Sequence, residues 1–192
     1  MLKNSTNENN STIKNVIDNW YSANMIDYTN KLEDTIWCND RSIYKLNGWD
    51  KDKNSTDAIY FGTHGRLFVD SKLSLECSNP NDRFTVSSKN GNGKLTYPVA
   101  LLTADEMVLA GGAWLTGNKN FYLYIGQYYS WSLSPSNFTY LSNPLMLDLN
   151  SKGEMSNYIV TKSLGVRPSV SLKSGIDYLS GTGTTTNPYV IE

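Results

Sequence analysis

The spacing of apolar residues predicts a helix near the start of the chain. Five apolar residues recur at intervals of three and four, which places them on one side of a helix: Ile13, Val16, Ile17, Trp20 and Tyr21. Ser11 or Thr12 is a suitable N-cap, and helical character can extend to about Leu32. Because the preceding residues are polar, we expect residues 1–11 to form a disordered leader and residues 12–192 to form a single domain.

A second helix is predicted further along the chain. Thr103 and Glu106 have the spacing of a capping box, and the pair Gly111–Gly112 ends the helix about two turns later. From residue 37 to residue 94 the chain is rich in turn-forming residues. Only short strands are predicted in that part of the chain, at 58–61, 66–69 and 83–87.

The last third of the chain is predicted to be rich in strands. Leu145, Leu147 and Leu149 alternate with polar or flexible residues that include Asp148, which is typical of a half-buried strand. A turn is expected at 151–153, where Gly153 closes a Ser-Lys-Gly sequence. The predicted strands are 121–125, 128–133, 145–150, 154–160 and 165–172, followed by a short closing strand at the C-terminal end.

Composition and charge argue against several classes of function. The chain has 17 basic and 18 acidic residues and a net charge of −1, so it lacks the basic field that nucleic-acid binding requires. It has one histidine, which leaves little material for a histidine-based metal site or catalytic triad. We therefore expect no nucleic-acid partner, no cofactor, no metal site and no enzymatic activity.

The sequence is compatible with two cellular locations of the protein. The longest apolar runs, such as 99–102, are too short to span a bilayer, and we find no signal peptide. The chain is either a cytosolic protein or an ectodomain cut from a membrane-anchored parent. Asn, Ser, Thr and Tyr take the place of charged residues, which favours the second explanation. We expect a monomer at the cell surface or outside the cell, anchored by a segment missing from this chain, with no membrane insertion of its own.

The two cysteines, Cys38 and Cys77, lie far apart and form no CxxC motif. Both stand among polar residues. In an oxidising compartment we expect them to form a disulfide that closes a loop of about forty residues. The alternative is two free thiols in a cytosolic protein.

Tyrosines and asparagines crowd into the segment 118–158. Tyrosine supplies rigid contact area at a small entropic cost, and asparagine supplies adaptable hydrogen bonds. The composition therefore predicts a recognition surface. We expect it to be carried by Tyr122, Tyr124, Tyr128, Tyr129, Asn137, Tyr140, Asn157 and Tyr158.

Exposure of these side chains is expected from their neighbours. If Phe121, Leu123 and Ile125 face the core, Tyr122 and Tyr124 face outwards, although packing under a loop is the alternative. The remaining candidates near 128–140 flank a Ser-Pro pair that is expected to form a turn, and this favours their exposure.

Other conspicuous residues are expected to be structural. Trp131 is expected in the core, and Arg167 is either an anchor for an acidic ligand or, as we expect, a buried arginine paired with a carboxylate or loop carbonyls. The segment 148–153 resembles half of a calcium loop, but Lys152 occupies a position that needs an oxygen ligand, so we expect a plain turn. His64 is expected in a loop.

Four C-terminal motifs carry a family resemblance: Trp-Ser-Leu-Ser-Pro-Ser at 131–136, Gly-Val-Arg-Pro at 165–168, Leu-Lys at 172–173, and the Gly-Thr-Gly-Thr to Pro-Tyr-Val-Ile segment at 181–191. They resemble bacterial surface modules of the Fibrobacter major-paralogous-domain type and their Firmicutes relatives. These modules share the C-type-lectin-like fold with formylglycine-generating enzymes and with variable proteins of diversity-generating retroelements. The resemblance covers about residues 12–192.

The resemblance implies an α+β fold in which two helices flank a small, twisted, mostly antiparallel sheet with much ordered loop. It also implies that ligands meet the C-terminal strands and loops. The copper-binding cysteine pair of the oxidases has no counterpart here, because Cys38 and Cys77 lie far upstream.

The function implied is a surface-displayed ligand- or receptor-binding module, whose partner is a protein or glycan on another cell or phage. Diversified binding residues in the C-terminal third are compatible with its richness in Asn, Ser and Tyr. The alternatives are a structural domain of a pilus or envelope appendage, and a non-catalytic relative of the formylglycine-generating oxidases.

Overall fold

The computed structural model describes residues 10–44, 58–124, 126–138, 143–184 and 186–191. These residues form an α+β structure in which all named strand pairs are antiparallel. The helices are α1 (Thr12–Asn24), α2 (Gly62–Phe68) and α3 (Ala104–Leu109), with 3₁₀ helices at Ile26–Lys31 and Pro80–Asp82. The strands are β1 (Trp37–Cys38), β2 (Ile59–Tyr60), β3 (Arg83–Phe84), β4 (Ser130–Phe138), β5 (Leu145–Leu149), β6 (Met155–Ile159), β7 (Tyr178–Ser180) and β8 (Val190–Ile191).

The central sheet has four strands in the order β2–β4–β5–β6. The pairing of β5 with β6 is regular from Leu145 opposite Ile159 to Leu149 opposite Met155. The pairing of β4 with β5 shifts register on both sides of Pro135. Proline has no N–H to donate, so an irregular position is where an inner strand tolerates it. The turn expected at the Ser-Pro pair is therefore wrong, because both residues lie inside β4.

Two smaller sheets complete the strand structure. In the first, β1 pairs with β3, and Cys38 of β1 forms a disulfide with Cys77 at a Cα–Cα distance of 5.7 Å. This confirms the expected cystine, which on a polymer model of the unfolded chain contributes roughly 3–4 kcal/mol. The second small sheet pairs β7 with β8 and confirms the closing strand.

Both sequence-predicted helices are present. Ser11 Oγ caps α1 by accepting a hydrogen bond from the backbone N–H of Lys14 at 3.1 Å. In α3 both halves of the capping box form, since Glu106 N donates to Thr103 Oγ1 at 3.2 Å and Thr103 N donates to Glu106 Oε2 at 2.7 Å. The helical segment after α1 continues as the 3₁₀ helix to Lys31.

Helix α2 was not expected from the sequence, and the strand predicted at 66–69 and the loop position of His64 are both wrong. Its sequence contains Gly62 and Gly65, and glycine lowers intrinsic helix propensity. A Cβ on Gly65 would lie 2.0 Å from the ring of Tyr44. The glycine therefore allows this ring to pack against the helix, and tertiary contact outweighs local propensity.

Two other predicted strands are absent. The segment 165–172 makes only isolated bridges, from Gly165, Ser169 and Leu172 to three different parts of the chain. Pro168 cannot donate to a ladder, which favours this single-bridge arrangement. Residues 121–124 form a turn in which Tyr124 N donates to Phe121 O at 2.9 Å, and residue 125 lies outside the described residues.

The described residues form three hydrophobic core clusters. The first packs one face of the central sheet against α2 and α3, and we name this the helix face; its buried members are Leu67, Ala104, Met107, Phe121, Leu123, Leu147, Leu149 and Met155. The second packs the opposite face against α1, and we name this the α1 face; its buried members are Ile17, Tyr21, Leu32, Val99, Leu101 and Trp131. The third joins Trp37, Leu95 and Ala100 beside the disulfide-linked sheet. Trp131 is thus a core residue, as expected.

No helix within the described ranges is long and apolar enough to cross a membrane.

Candidate recognition surface

Tyr122 projects from a turn that its neighbours hold in place. Phe121 and Leu123 are buried in the first cluster, while Tyr122 is 80% exposed. Asn118 fixes the start of the turn, because its Oδ1 accepts from Asn120 N at 3.1 Å and its Nδ2 donates to Gly111 O at 3.2 Å. The expected alternation of burial holds for these residues although they form no strand.

Tyr124 takes an intermediate position. It is partly buried and packs against the first cluster. The turn before β6 comes close to it at Gly153, whose φ is +76° and where a Cβ would lie 2.4 Å from Asn118 O. Asn150 Oδ1 accepts from the backbone N–H groups of Lys152 and Glu154 at 2.9 and 3.1 Å, and the turn expected at 151–153 is confirmed.

Three further tyrosines are exposed beside the central sheet. Tyr128, just before β4, is 66% exposed, and its neighbour Tyr129 is about half as exposed. The ring of Tyr129 lies 5.9 Å from the ring of Tyr158 on β6, centroid to centroid. This is within the range of favourable aromatic pairs. Strand β6 and the approach to β4 therefore contribute to one aromatic patch.

Arg167 connects the two parts of this region. It is partly buried and donates a hydrogen bond to the backbone carbonyl of Leu123, beside Tyr122. Burial lowers the pKa of the guanidinium, and the nearby phenol of Tyr122 opposes that shift. Two residues earlier, Gly165 N donates to Tyr129 O at 2.9 Å. The loop-carbonyl partner expected for Arg167 is confirmed.

Asn137 and Asn157 are directed into the structure. Asn137 is only 8% exposed, so its expected exposure is wrong. Asn157 is partly buried, and the two side-chain amides donate to Ser136 Oγ at 3.4 and 3.2 Å. Ser136 Oγ also lies 2.9 Å from His64 Nδ1. Because the amides supply protons to Ser136, the serine hydroxyl donates to His64, whose own proton is then on Nε2.

His64 is a buried residue of α2 surrounded by rings. The centroids of Tyr60, Phe68 and Trp114 lie 4.6, 5.4 and 5.0 Å from the imidazole centroid. Burial lowers the pKa of His64 to about 4, so the imidazole is neutral at neutral pH. The His64–Ser136 pair lies inside the domain, since Ser136 is 0% exposed, and it does not present its hydroxyl to solvent.

Asp148 is the second unexpected buried group. The alternating pattern predicted a solvent-facing side chain, but Asp148 is 0% exposed. Its Oδ1 accepts from Ser156 Oγ at 2.8 Å, while Oδ2 has no hydrogen-bond partner in the described part of the chain. Burial raises the pKa of this carboxyl to about 6. The prediction fails because the segment 164–170 covers the face of β5 that was expected to meet water.

A third polar cluster lies at the N-terminal end of α3. Arg66 pairs with Asp105 at 2.7 Å and with Asp40 at 3.1 Å. Asp105 Oδ1 also accepts from Ser74 N at 2.9 Å. Burial alone would lower the pKa of Arg66, but the two carboxylates outweigh it and raise the pKa. These contacts join α2, α3 and the loops before each helix. The spacing of the residues in the sequence does not predict them.

The last of the predicted binding residues is Tyr140. Tyr140 lies outside the described residues, so its role stays a prediction. Among the residues that the structure describes, no group of three or more His, Cys, Asp or Glu side chains is arranged to hold a metal ion. The extension of β4 to Phe138 was not predicted, although the sequence contains a signal for it. Serine recurs at every second position, 130, 132, 134 and 136, as expected for one face of a strand that continues through this segment.

Comparison of the chain with protein-family models, with curated protein sequences and with solved structures finds no match.

Proposed function

We propose that this chain is a surface-displayed recognition module that binds a protein or glycan through its exposed tyrosines. One observation carries the proposal. Tyr122, Tyr128, Tyr129 and Tyr158 remain exposed while their immediate neighbours Phe121, Leu123 and Ser130 are buried. The backbone under these rings is therefore fixed by the core, and rigid aromatic side chains on a fixed backbone lose little entropy on binding.

The disulfide supports the location that this function needs. Cystines persist in oxidising compartments outside the cytosol, and Cys38–Cys77 closes a segment that contains α2. An extracellular soluble domain is compatible with this cystine. The C-type-lectin-like fold suggested by the sequence motifs, and the diversification of the binding residues, belong to the same proposal.

The test compares two double variants on glycan arrays and on whole bacterial cells. We expect Tyr122→Ser with Tyr128→Ser to lose binding that the parent shows, because tyrosines at interface centres often contribute 2 kcal/mol or more. The matched control is Tyr28→Ser with Tyr178→Ser, which removes two tyrosines of similar exposure elsewhere on the surface. Equal loss in both variants, or binding retained by the first, contradicts the proposal.

A second candidate function is a structural subunit of an envelope appendage, favoured by the hairpin β7–β8. Tyr178, Leu179, Tyr189 and Val190 on this hairpin are all about half exposed or more. The sequence from 178 to 191 contains no charged residue, and charge is a usual protection of exposed strand edges. Sedimentation at increasing protein concentration tests it. Association that Leu179→Lys abolishes would favour the structural subunit, and a monomer at all concentrations would favour the recognition module.

A further inference from the structure

A groove separates the second and third hydrophobic clusters. Helix α1 forms one side of it through Ile13 and Ile17, and the disulfide-linked sheet forms the other side through Trp37 and Phe84. Leu95 and Leu133 also line it, and its volume is about 340 Å³. None of its lining residues is one of the tyrosines of the proposed recognition surface.

The size of the groove matches a small organic molecule. Natural ligand pockets are concave, mainly apolar and upwards of roughly 300 Å³. A cavity of about 150 Å³ holds benzene. The groove is about twice that size, so it has room for roughly a dozen carbon atoms.

The charges around the groove restrict the ligand further. Among the residues that the structure describes, no Asp or Glu lines it, whereas Lys14 and Lys94 both do. Lys14 is neutralised by an ion pair with Asp18 one helical turn away. Lys94 is exposed and forms no ion pair with the residues that the structure describes. An apolar ligand in this groove therefore meets one uncompensated cation at the edge of the groove.

One wall of the groove also contains an unused hydrogen-bond donor. Trp37 is buried, and its indole Nε1 has no acceptor among the described residues. An unsatisfied buried donor is unfavourable and favours a nearby acceptor. The nitrogen itself is fully covered, so Trp37 presents apolar surface to a ligand in the groove.

We propose that the groove between α1 and the disulfide-linked sheet binds an amphiphilic anion, with its apolar body against Ile17 and Trp37 and its anionic group at Lys94. A medium-chain carboxylate has this chemistry. The site is independent of the tyrosine surface, and it gives the domain a small-molecule ligand in addition to a macromolecular partner.

The direct test is calorimetric titration of the oxidised chain with decanoate, decanol and decyltrimethylammonium, which share one apolar chain and differ in charge. We expect decanoate to bind more tightly than decanol, and the cation to bind most weakly. Decanoate should also displace anilinonaphthalene sulfonate, measured by fluorescence, with an unchanged near-ultraviolet circular dichroism spectrum. Equal binding of all three probes, or none, overturns the proposal.

Two variants locate the site. Lys94→Glu should weaken decanoate roughly tenfold, because an attraction becomes a repulsion. Lys89→Glu is the matched control, since Lys89 is exposed on the same segment but does not line the groove. It should change the affinity less than about twofold, the effect of a distant exposed charge. Equal effects of the two variants contradict the assigned position of the anionic group.

Filling the groove separates apolar binding from charge attraction. Ile13→Trp places a larger side chain at the groove from the partly buried side of α1, and it should reduce decanoate binding while the melting temperature stays near that of the parent. The Tyr122→Ser, Tyr128→Ser variant should bind decanoate like the parent, so failure of one proposal is distinguishable from failure of the other. If decanoate binds only to a chain lacking residues 1–9, the groove accommodates that segment and the proposal is wrong.

Discussion

The two faces of the central sheet bury polar groups in different ways. On the helix face, Ser132 donates to Leu147 O at 2.7 Å, Ser134 accepts from Ala104 N at 3.0 Å, and Ser136 lies 2.9 Å from His64 Nδ1. Small hydroxyl side chains let α2 and α3 approach the sheet while satisfying donors that would otherwise be buried without partners. On the α1 face, Asp148 lies opposite Trp131 and uses only one of its two oxygens. Among the described residues, three of the four buried serines on the helix face have hydrogen-bond partners, whereas the buried carboxylate on the α1 face uses one of its two oxygens.

The faces also respond to acid in opposite directions. The pKa of His64 falls from 6.5 to about 4 on folding, so its contribution to stability is complete above pH 6.5 and is lost as the pH falls towards 4. The pKa of Asp148 rises from 3.8 to about 6, so its contribution is complete below pH 3.8 and is lost as the pH rises through 6. Each shift corresponds to about 3 kcal/mol. The two changes oppose each other across the same pH range.

The largest expected effect separates these two contributions. Asp148→Asn removes the charge and keeps an oxygen that can accept from Ser156. We expect the variant to gain stability relative to the parent as the pH rises from 4 to 7.5, by up to about 3 kcal/mol. The measurement is urea unfolding of both proteins at several pH values.

The control for this prediction is Asp177→Asn, which changes an exposed aspartate near the C-terminal hairpin. Its stability relative to the parent should not change with pH by more than about 0.5 kcal/mol. If the free energies of unfolding of the parent and of Asp148→Asn differ by the same amount from pH 4 to 7.5, Asp148 is ionised without penalty. The two faces would then not respond to acid in opposite directions.

The second prediction concerns the helix face. His64→Phe keeps a ring among Tyr60, Phe68 and Trp114 but leaves the Ser136 hydroxyl without its acceptor. We expect a loss of about 2 kcal/mol at pH 7.5, the usual cost of an unpaired buried group. The loss should shrink as the pH approaches 4, because the parent loses its own His64 contribution there.

A double-mutant cycle with Ser136→Ala identifies the cause. If the His64–Ser136 hydrogen bond is responsible, the double variant is less destabilised than the sum of the two single variants. Additive effects would show that the ring packing of His64, and not its bond to Ser136, stabilises the domain.

Part of the fold was predictable because local signals agree with tertiary contacts. The capping box of α3, the stripe of α1 and the paired strands β5 and β6 depend on residues close together in sequence, so their patterns are visible in the chain. The two cysteines could be paired because only one pairing exists. Among the binding candidates, Tyr122 was correctly placed outside because its two apolar neighbours anchor the turn.

The wrong predictions concern positions whose structure depends on contacts between residues that are distant in sequence. Helix α2 forms although it contains Gly65, which accommodates the ring of Tyr44, and no local pattern reveals such a contact. Asp148 alternates as a surface residue does, yet the segment 164–170 covers it. Asn137 was assigned to the surface because it flanks the Ser-Pro pair that was expected to form a turn, but a bulged inner strand directs its amide towards Ser136. A one-residue register shift exchanges the faces of a strand, and Pro135 marks such a shift only once the segment is known to be an inner strand.

A third and smaller effect compares two serines on the same strand. Ser134→Ala leaves the N–H of Ala104 unpaired at the start of α3, so we expect a loss of about 1 kcal/mol. Ser130 is equally buried, but its Oγ has no hydrogen-bond partner among the described residues. Ser130→Ala should therefore be neutral or stabilising. Thermal unfolding of the two variants measures the difference, and equal melting temperatures would contradict the role given to the hydrogen bond.

The smallest effect on stability is expected on the tyrosine surface, whose most exposed members Tyr122 and Tyr128 lie outside the strands. Tyr122 and Tyr128 are mostly exposed, so their replacement by serine removes little buried area. We expect the free energy of unfolding of the double variant to lie within about 0.5 kcal/mol of that of the parent, as is usual for surface positions. Tyr129→Ser with Tyr158→Ser should cost slightly more, because these rings touch and each is more buried. If Tyr122→Ser with Tyr128→Ser unfolds the domain, the two tyrosines stabilise the loop that Arg167 binds, and the recognition surface has to be sought on another part of the molecule.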